Sequence, residues 1–254
     1  MAINLRPTKI EAIFFDLYDT LARFWPPRYE IQSMACAAYG LTVTSDGINL
    51  GYRYADAFMA EENSKNPIGR RSQAGRRNFF TEYQKMILDG AGIMASDSLA
   101  TLIWDEVNKI PYRMTLYDDV LGTMETLRNR GITLGVISNM DRPGGLVGAE
   151  LGLNTKVDFV LTSMDAKATK PDPQIFLAAL DRAKTSYESV IHVGDQYKSD
   201  VQGALSVGIY PILIDRHGTL VSTGDRKPDQ IPSIGNLDEL LRLLFPKERE
   251  TRHP

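Results

Sequence analysis

Short apolar runs alternate with stretches of helical period through the second half of the chain. The segments "ITLGVISN" (132–139), "DFVLTS" (158–163), "SVIHVGD" (189–195) and "IYPILID" (209–215) are near-continuous apolar runs. That is the pattern of strands buried on both faces of a sheet. Between them, "DDVLGTMETLRNRG" (118–131) puts Val120, Leu121, Met124 and Leu127 at helical spacing and stops at Gly131. "PQIFLAALDRA" (173–183) reads as a helix opened by Pro173 near its first turn. A further helix is expected through Val201 to Val207, and Asn236 and Glu239 are spaced like a capping box before "LLRLLF". The opening run, residues 10–17, supplies another strand. Strands alternating with helices predict a mostly parallel sheet with right-handed crossovers. The expected architecture is α/β, a Rossmann-like core over residues 1–21 and 116–254.

Residues 22–115 break this rhythm. "IQSMACAAYG", "YADAFMAEEN", "RNFFTEYQKMILDG" and "SLATLIWDEVNKI" have helical rather than strand periodicity. They predict an all-helical insertion between the first strand and the rest of the sheet. Within it, "NSKNPIGRRSQAG" (63–75) reads as a loop, and "FWPP" (24–27) as a hinge, because Pro fixes φ and breaks helices. Phe24 and Trp25 are candidates to line a substrate cavity. The tail "PKERETRHP" is charged and expected to fray. "GGLVG" (144–148) is not a dinucleotide fingerprint, because its spacing is wrong and it does not follow the first strand.

Bulk properties narrow the function classes. A length of 254 residues suits one large domain, or a core with an inserted smaller one. A net charge of −3 gives no reason to expect nucleic-acid or anionic-membrane binding. Cys36 is the single cysteine, so an internal disulfide is impossible and a reducing compartment is expected. His192, His217 and His253 are far apart in sequence, which disfavours a structural zinc site. The N-terminal residues lack a long apolar stretch, and nowhere do eighteen apolar residues run together. A cytoplasmic protein is expected. Nothing in the sequence sets its oligomeric state.

In an open parallel sheet, ligands bind outside the carboxyl ends of the strands. The apolar runs end on informative residues. The first ends on Asp16 and the second on Ser138 and Asn139; the segment after the third reaches Lys170; the fourth ends on Asp195, with Asp200 five residues on. Asp16 suits a nucleophile that forms an aspartyl intermediate. Ser138, the amides after it and Lys170 suit the oxygens of an anionic group. Asp195 and Asp200, with Asp16, offer hard oxygen ligands suited to Mg²⁺. Lys170 and the metal would offset repulsion among the carboxylates. The expected partner is a small anionic molecule.

"FFDLYDTL", "VISN", "KPDPQIF" and "HVGDQYKSD" resemble, in order and spacing, the four motifs of the haloacid dehalogenase superfamily. The similarity covers residues 10–21 and about 116–216, and looks most like the subgroup of rhythmically-expressed-gene type. The insertion at 22–115 falls where that superfamily carries its helical C1-type cap. The resemblance implies Asp16 as nucleophile, Thr20 and Ser138 in contact with the transferred group, and Lys170 in the lysine role. It implies Asp195 as a metal ligand supported by Asp200. On it, Thr20, Asn139 and Tyr18 form the substrate-binding set and Asp16, Tyr18, Asp195 and Asp200 the metal set. Tyr18 departs from the pattern. Phosphatase members carry an aspartate two residues after the nucleophile, acting as acid and base, and Thr20 fixes the register so that Tyr18 fills that slot. A tyrosine there resembles the 2-haloacid dehalogenases, which use no metal, whereas "GDxxxxD" is of the metal type.

Three readings follow. The favoured one is Mg²⁺-dependent phosphoryl transfer to Asp16 from small phosphorylated metabolites with good leaving groups, for which an acid matters little. Another is halide displacement by Asp16, as in a 2-haloacid dehalogenase. The third is a binding protein with weak catalysis. The phosphoryl reading is preferred because three carboxylates near one point would repel a haloacid carboxylate unless a cation sat among them. Asp19 is a turn residue or an auxiliary acid or base. His192 reads as a core residue. The arginines at 70, 71, 76 and 77 read as a solvated face, or more sharply as an attractant for an anionic substrate.

Overall fold

A computed structural model describes residues 6–218 and 231–246. Apart from Pro246, the charged tail lies outside the described residues, and so does His253. The chain forms two compact units, Met1–Arg23 with Leu116–Pro254, and Phe24–Thr115.

In chain order, β1 (Ala12–Phe15) is followed by β2 (Ala22–Trp25), then α1 (Arg28–Ala37), α2 (Ser45–Lys65), α3 (Gln73–Gly90), α4 (Asp97–Val107) and β3 (Arg113–Leu116). The chain continues through α5 (Val120–Arg128), β4 (Thr133–Ser138), α6 (Gly144–Glu150), β5 (Phe159–Thr162), α7 (Ser163–Ala166) and α8 (Pro173–Ala183). It ends in β6 (Val190–Gly194), a π-helical turn Tyr197–Gln202, α9 (Gly203–Ser206), β7 (Tyr210–Ile214), β8 (Ser233–Ile234) and α10 (Leu237–Leu244). None of the described helices is long and apolar enough to cross a membrane.

The first unit is built on one six-stranded sheet of order β5-β4-β1-β6-β7-β8, parallel at each pairing. β1 is central. Ala12 pairs with Thr133 on one side and Val190 on the other, so Phe15, Val136 and Val193 lie level. The chain adds strands to one side of β1 and then the other, so the strand order reverses at β1. Crevices that bind ligands form at such reversals. Every β1 residue is fully buried, as are Leu134, Val136 and Ile137 of β4. A core cluster joins Phe14 and Ile137 to Ile175, Phe176 and Ala179 of α8. The burial explains why these strands read as unbroken apolar runs.

The second unit packs four helices about Ile31, Ile48, Phe79, Ile87 and Ile103. Thr44, Ser72 and Ser96 cap α2, α3 and α4 by accepting from amides three residues on. Two details go beyond the expected helices. β2 and β3 pair as a two-stranded sheet where strands were not expected; "ARFW" and "RMTL" are too short for helical period to be read, and their aromatic and β-branched residues suit a pleat. The loop expected over 63–75 is narrower, because α2 runs to Lys65, a 3₁₀ turn holds Ile68–Arg70 and α3 opens at Gln73. Arg70, Arg76 and Arg77 are exposed, as expected of a solvated face, while Arg71 is partly buried and tied to Glu62 at 3.1 Å; Arg77 meets Asp105 at 3.0 Å at the surface.

Candidate active site

Because the sheet is parallel and in register, the C-terminal ends of β1, β4 and β6 share one edge. Asp16 leaves β1 there, Ser138 closes β4, and Gly194 delivers Asp195 from β6. Asp16 is 8% exposed, Ser138, Lys170 and Asp200 are buried, and Asp195 is partly exposed. Carboxylate oxygens of Asp16, Asp195 and Asp200 lie within 4.8 Å of one another. Lys170 reaches between two of these acids. Its Nζ donates to Asp16 Oδ1 at 2.5 Å and to Asp200 Oδ1 at 2.7 Å.

The turn after β6 explains how Asp200 gets there. The segment expected to be an ordinary helix through Val207 begins as a π-helical turn, and only Gly203–Ser206 is α-helical. Such wide turns are rare and recur at functional sites. Here the turn brings Asp200 back under β6, where its Oδ2 accepts from the Gln196 amide at 3.0 Å. Asp200 packs so tightly on Gly194 that a Cβ there would stand 2.2 Å from the Asp200 Cγ. Only glycine fits.

His192, expected to be a plain core residue, touches this site. It is fully buried, and its Nε2 lies 3.0 Å from Asp200 Oδ1. The apolar run 189–195 places it in a buried strand; only the fold of the following turn shows that Asp200 meets it. Both Asp200 oxygens are therefore engaged, by Lys170 and His192 on one and by Gln196 on the other. Asp16 and Asp195 are left as the carboxylates with the freer oxygens.

Asn139 uses both ends of its amide on Lys170. Its Nδ2 donates to the Lys170 carbonyl at 3.0 Å, and the Lys170 amide donates to Asn139 Oδ1 at 2.8 Å. The residue expected to bind substrate thus holds the lysine in place. Thr20 is fully buried, and its hydroxyl has no hydrogen-bond partner among the described residues. Tyr18 is half-buried and forms an isolated bridge to Ala22. Asp19 takes a left-handed conformation at φ 56°, a position more often filled by Gly, Asn or Asp. Its carboxylate accepts from the Tyr117 hydroxyl at 3.2 Å and lies 3.7 Å from His217 Nε2.

The electrostatics follow from the crowding. Burial pushes the Asp16 carboxyl up to about 6; Lys170 pulls it back and Asp200 pushes it further. Burial, then the charges of Asp16, Asp200 and Asp19, hold Asp195 well above the usual carboxylate range. Burial also works against the charge on Asp200, but Lys170 and His192 outweigh it and keep Asp200 ionised. Burial opposes the charge on Lys170 too, and the two acids beside it overcome that and keep it an ammonium. Burial keeps His192 neutral, so its Nε2–H donates to the ionised Asp200. One ammonium faces three carboxylates. The remaining negative charge, on hard oxygen donors, fits a divalent cation.

The chain is similar to known proteins. A family model for haloacid dehalogenase-like hydrolases matches residues 10–208. A human protein, haloacid dehalogenase-like hydrolase domain-containing protein 3, is 32% identical over 209 residues, covering 81% of this chain and 82% of that one. A phosphoserine phosphatase of Thermus thermophilus is 32% identical over 132 residues, covering 50% of this chain and 51% of its own. Among solved structures, a 2-haloacid dehalogenase from Pseudomonas syringae pv. Tomato DC3000 is 25% identical with a TM-score of 0.52, covering 92% of this chain and 98% of that one.

Proposed function

This chain belongs to the haloacid dehalogenase-like hydrolases, and within that family we propose that it is a Mg²⁺-dependent phosphatase-type enzyme. Its substrates would be small phosphorylated metabolites with good leaving groups. The observation that carries this reading is the set of three carboxylates within 4.8 Å of one another, balanced by the single ammonium of Lys170. Such a site repels an anion unless a cation joins it. A haloacid dehalogenase needs no cation, so for that chemistry the third carboxylate would be a liability. The similarity to a phosphoserine phosphatase supports the same choice.

Asp16 attacks phosphorus through a carboxylate oxygen, and the bond to the leaving group breaks with its electron pair going to that group. An acyl or aryl phosphate leaving group accepts that pair without a proton, so Tyr18 in the acid's position does not stop the step. Water then attacks phosphorus, the bond to Asp16 breaks, and inorganic phosphate leaves. The proton released goes to a carboxylate, and Asp19, close enough for its charge to raise Asp195, is the one the turn offers. Lys170 holds Asp16 in place and offsets charge on the transferring group. Ser138 and the Thr20 hydroxyl would bond the group's oxygens. Asp16 and Asp195 would hold Mg²⁺, which supplies charge neutralisation of the transferring oxygens. The helical unit at 24–115 would act as a cap that excludes water. The single, buried Cys36 suits a reducing, cytoplasmic setting.

Acetyl phosphate, p-nitrophenyl phosphate and chloroacetate, each with and without Mg²⁺, test the reading. Turnover of both phosphates only with Mg²⁺ is expected. Chloride release without metal would overturn it in favour of dehalogenation. Tight ligand binding with no turnover would overturn it in favour of a binding role.

The raised acids also give a pH signature. Asp16 titrates near roughly 4 when unfolded and at about 6 when folded. A raised carboxyl contributes stability that is full below the unfolded value and lost as pH rises through the folded one. Metal-free protein is therefore expected to lose thermal stability from about pH 4 to beyond about pH 6, with Asp195 extending the loss upward. Asp200 acts with the opposite sign, and only below about pH 4. Mg²⁺ should raise the melting temperature more at pH 8 than at pH 5. An equal rise at both would count against a cation among these carboxylates.

A further inference from the structure

Arg216 lies just beyond β7, in a stretch that neither apolar period nor motif marks out. Its guanidinium is 6% exposed. Four of its five N–H groups are committed. Nε and Nη2 donate to the Thr20 carbonyl at 2.9 and 2.7 Å. Nη1 and Nη2 grip the two oxygens of Asp119 at 2.9 and 3.0 Å. Its flat face covers the Tyr117 ring, 3.9 Å from Cζ to centroid. Asp119 also accepts from the Leu237 amide at 2.8 Å, which opens α10. This is the bidentate, stacked geometry that arginine alone provides.

The targets matter more than the count. Thr20 is four residues after the nucleophile, and its hydroxyl is buried without a partner among the described residues. Tyr117, beneath the guanidinium, donates its hydroxyl to Asp19 and its amide to the Leu21 carbonyl at 3.0 Å. The turn itself is closed by the amides of Asp19, Leu21 and Ala22, bonded to Ala22, Leu17 and Leu17 carbonyls. Its internal bonds leave the Thr20 carbonyl to Arg216. In sequence, Thr20 and Asp119 flank the points where the chain passes to the second unit and returns from it.

We propose that Arg216 is a positioning residue for the hydrolytic site, fixing the Tyr18–Ala22 turn that follows Asp16 through the Thr20 carbonyl and Tyr117. The catalytic consequence rests on the phosphatase reading; the anchoring of the turn does not. A purely structural ion pair would stabilise the whole unit evenly. A positioning residue would act on one turn, and through it on turnover.

Amide hydrogen exchange of the full chain, in wild type, Arg216→Ala and Arg216→Lys, separates these. The expected result is at least tenfold faster exchange at Asp19, Leu21, Ala22 and Tyr117, with Ala12–Phe15 unchanged. Arg216→Lys keeps the charge but not the fork, so it should resemble Arg216→Ala, and it serves alone if the alanine variant does not fold. On acetyl phosphate, kcat should fall about 100-fold with KM within about threefold. Thr20→Ala should then cost no more in the Arg216→Lys background than Arg216→Lys alone, because the two act on one contact. Unchanged exchange in the turn, an even rise across the unit, or full rescue by lysine would overturn the proposal. If the turn loosens as expected but no phosphate is hydrolysed in wild type, the positioning stands and the phosphatase reading falls.

Discussion

Asp16→Asn is expected to abolish turnover of acetyl phosphate, by about 10⁶-fold, the scale on which removal of a covalent nucleophile acts. The amide cannot attack phosphorus as a carboxylate does, and no other acid can take its place. Asp200 has both oxygens engaged, and Asp195 leaves a different strand end. The fold should persist. Lys170 keeps its 2.7 Å bond to Asp200, and the substitution removes a carboxyl whose ionisation burial already resists. Metal-free Asp16→Asn should therefore melt no lower than metal-free wild type at pH 7. Rapid-quench measurement of phosphate release together with a melting curve decides it. Activity within about 100-fold of wild type would rule out the aspartyl intermediate, and loss of the fold would show that the Lys170–Asp16 contact carries more stability than the geometry implies.

Tyr18→Asp is expected to move activity in the opposite direction. An acid two residues after the nucleophile would protonate a departing alkoxide, a contribution of roughly 10²–10⁴-fold. The gain should be confined to alkyl phosphates; acetyl phosphate, whose leaving group needs no proton, should change little. The substitution also adds a carboxylate beside Asp19, so the Mg²⁺ requirement should remain absolute. The informative quantity is the ratio of kcat/KM for an alkyl phosphate to that for acetyl phosphate. If that ratio stays at its wild-type value, Tyr18 is not what limits the range of leaving groups.

The parts of the site that could be read from sequence are those that a strand delivers directly. An apolar run ending in a polar residue puts that residue at a sheet edge, which is why Asp16, Ser138 and Asp195 were legible one at a time. Three such ends and the segment bearing Lys170, in a recognised order, then pointed to the set. What escaped depends on partners that no local pattern links. Arg216 meets Thr20 across 196 positions. His192 meets Asp200 only because a π-helical turn, which has no periodic signature, folds the chain back within eight residues. Asn139 was legible as a site residue, but its bonds to the Lys170 backbone were not, since they rest on how two loops 31 residues apart meet. The two-stranded sheet β2–β3 was missed for a plainer reason: four residues are too few to show any period.

The central position of β1 has a consequence for how the protein is made. β1, which carries Asp16 at its end, is made before either of its neighbours, and both β4 and β6 come much later. Until then "AIFF" is an apolar ribbon with two unpaired edges, the kind of segment that aggregates when left waiting. The intervening residues 24–115 have a hydrophobic core of their own. If they condense while synthesis continues, they shorten the loop that must close to bring β4 onto β1, and loop closure becomes less unfavourable. The inserted unit would then act as a folding aid to the sheet it interrupts.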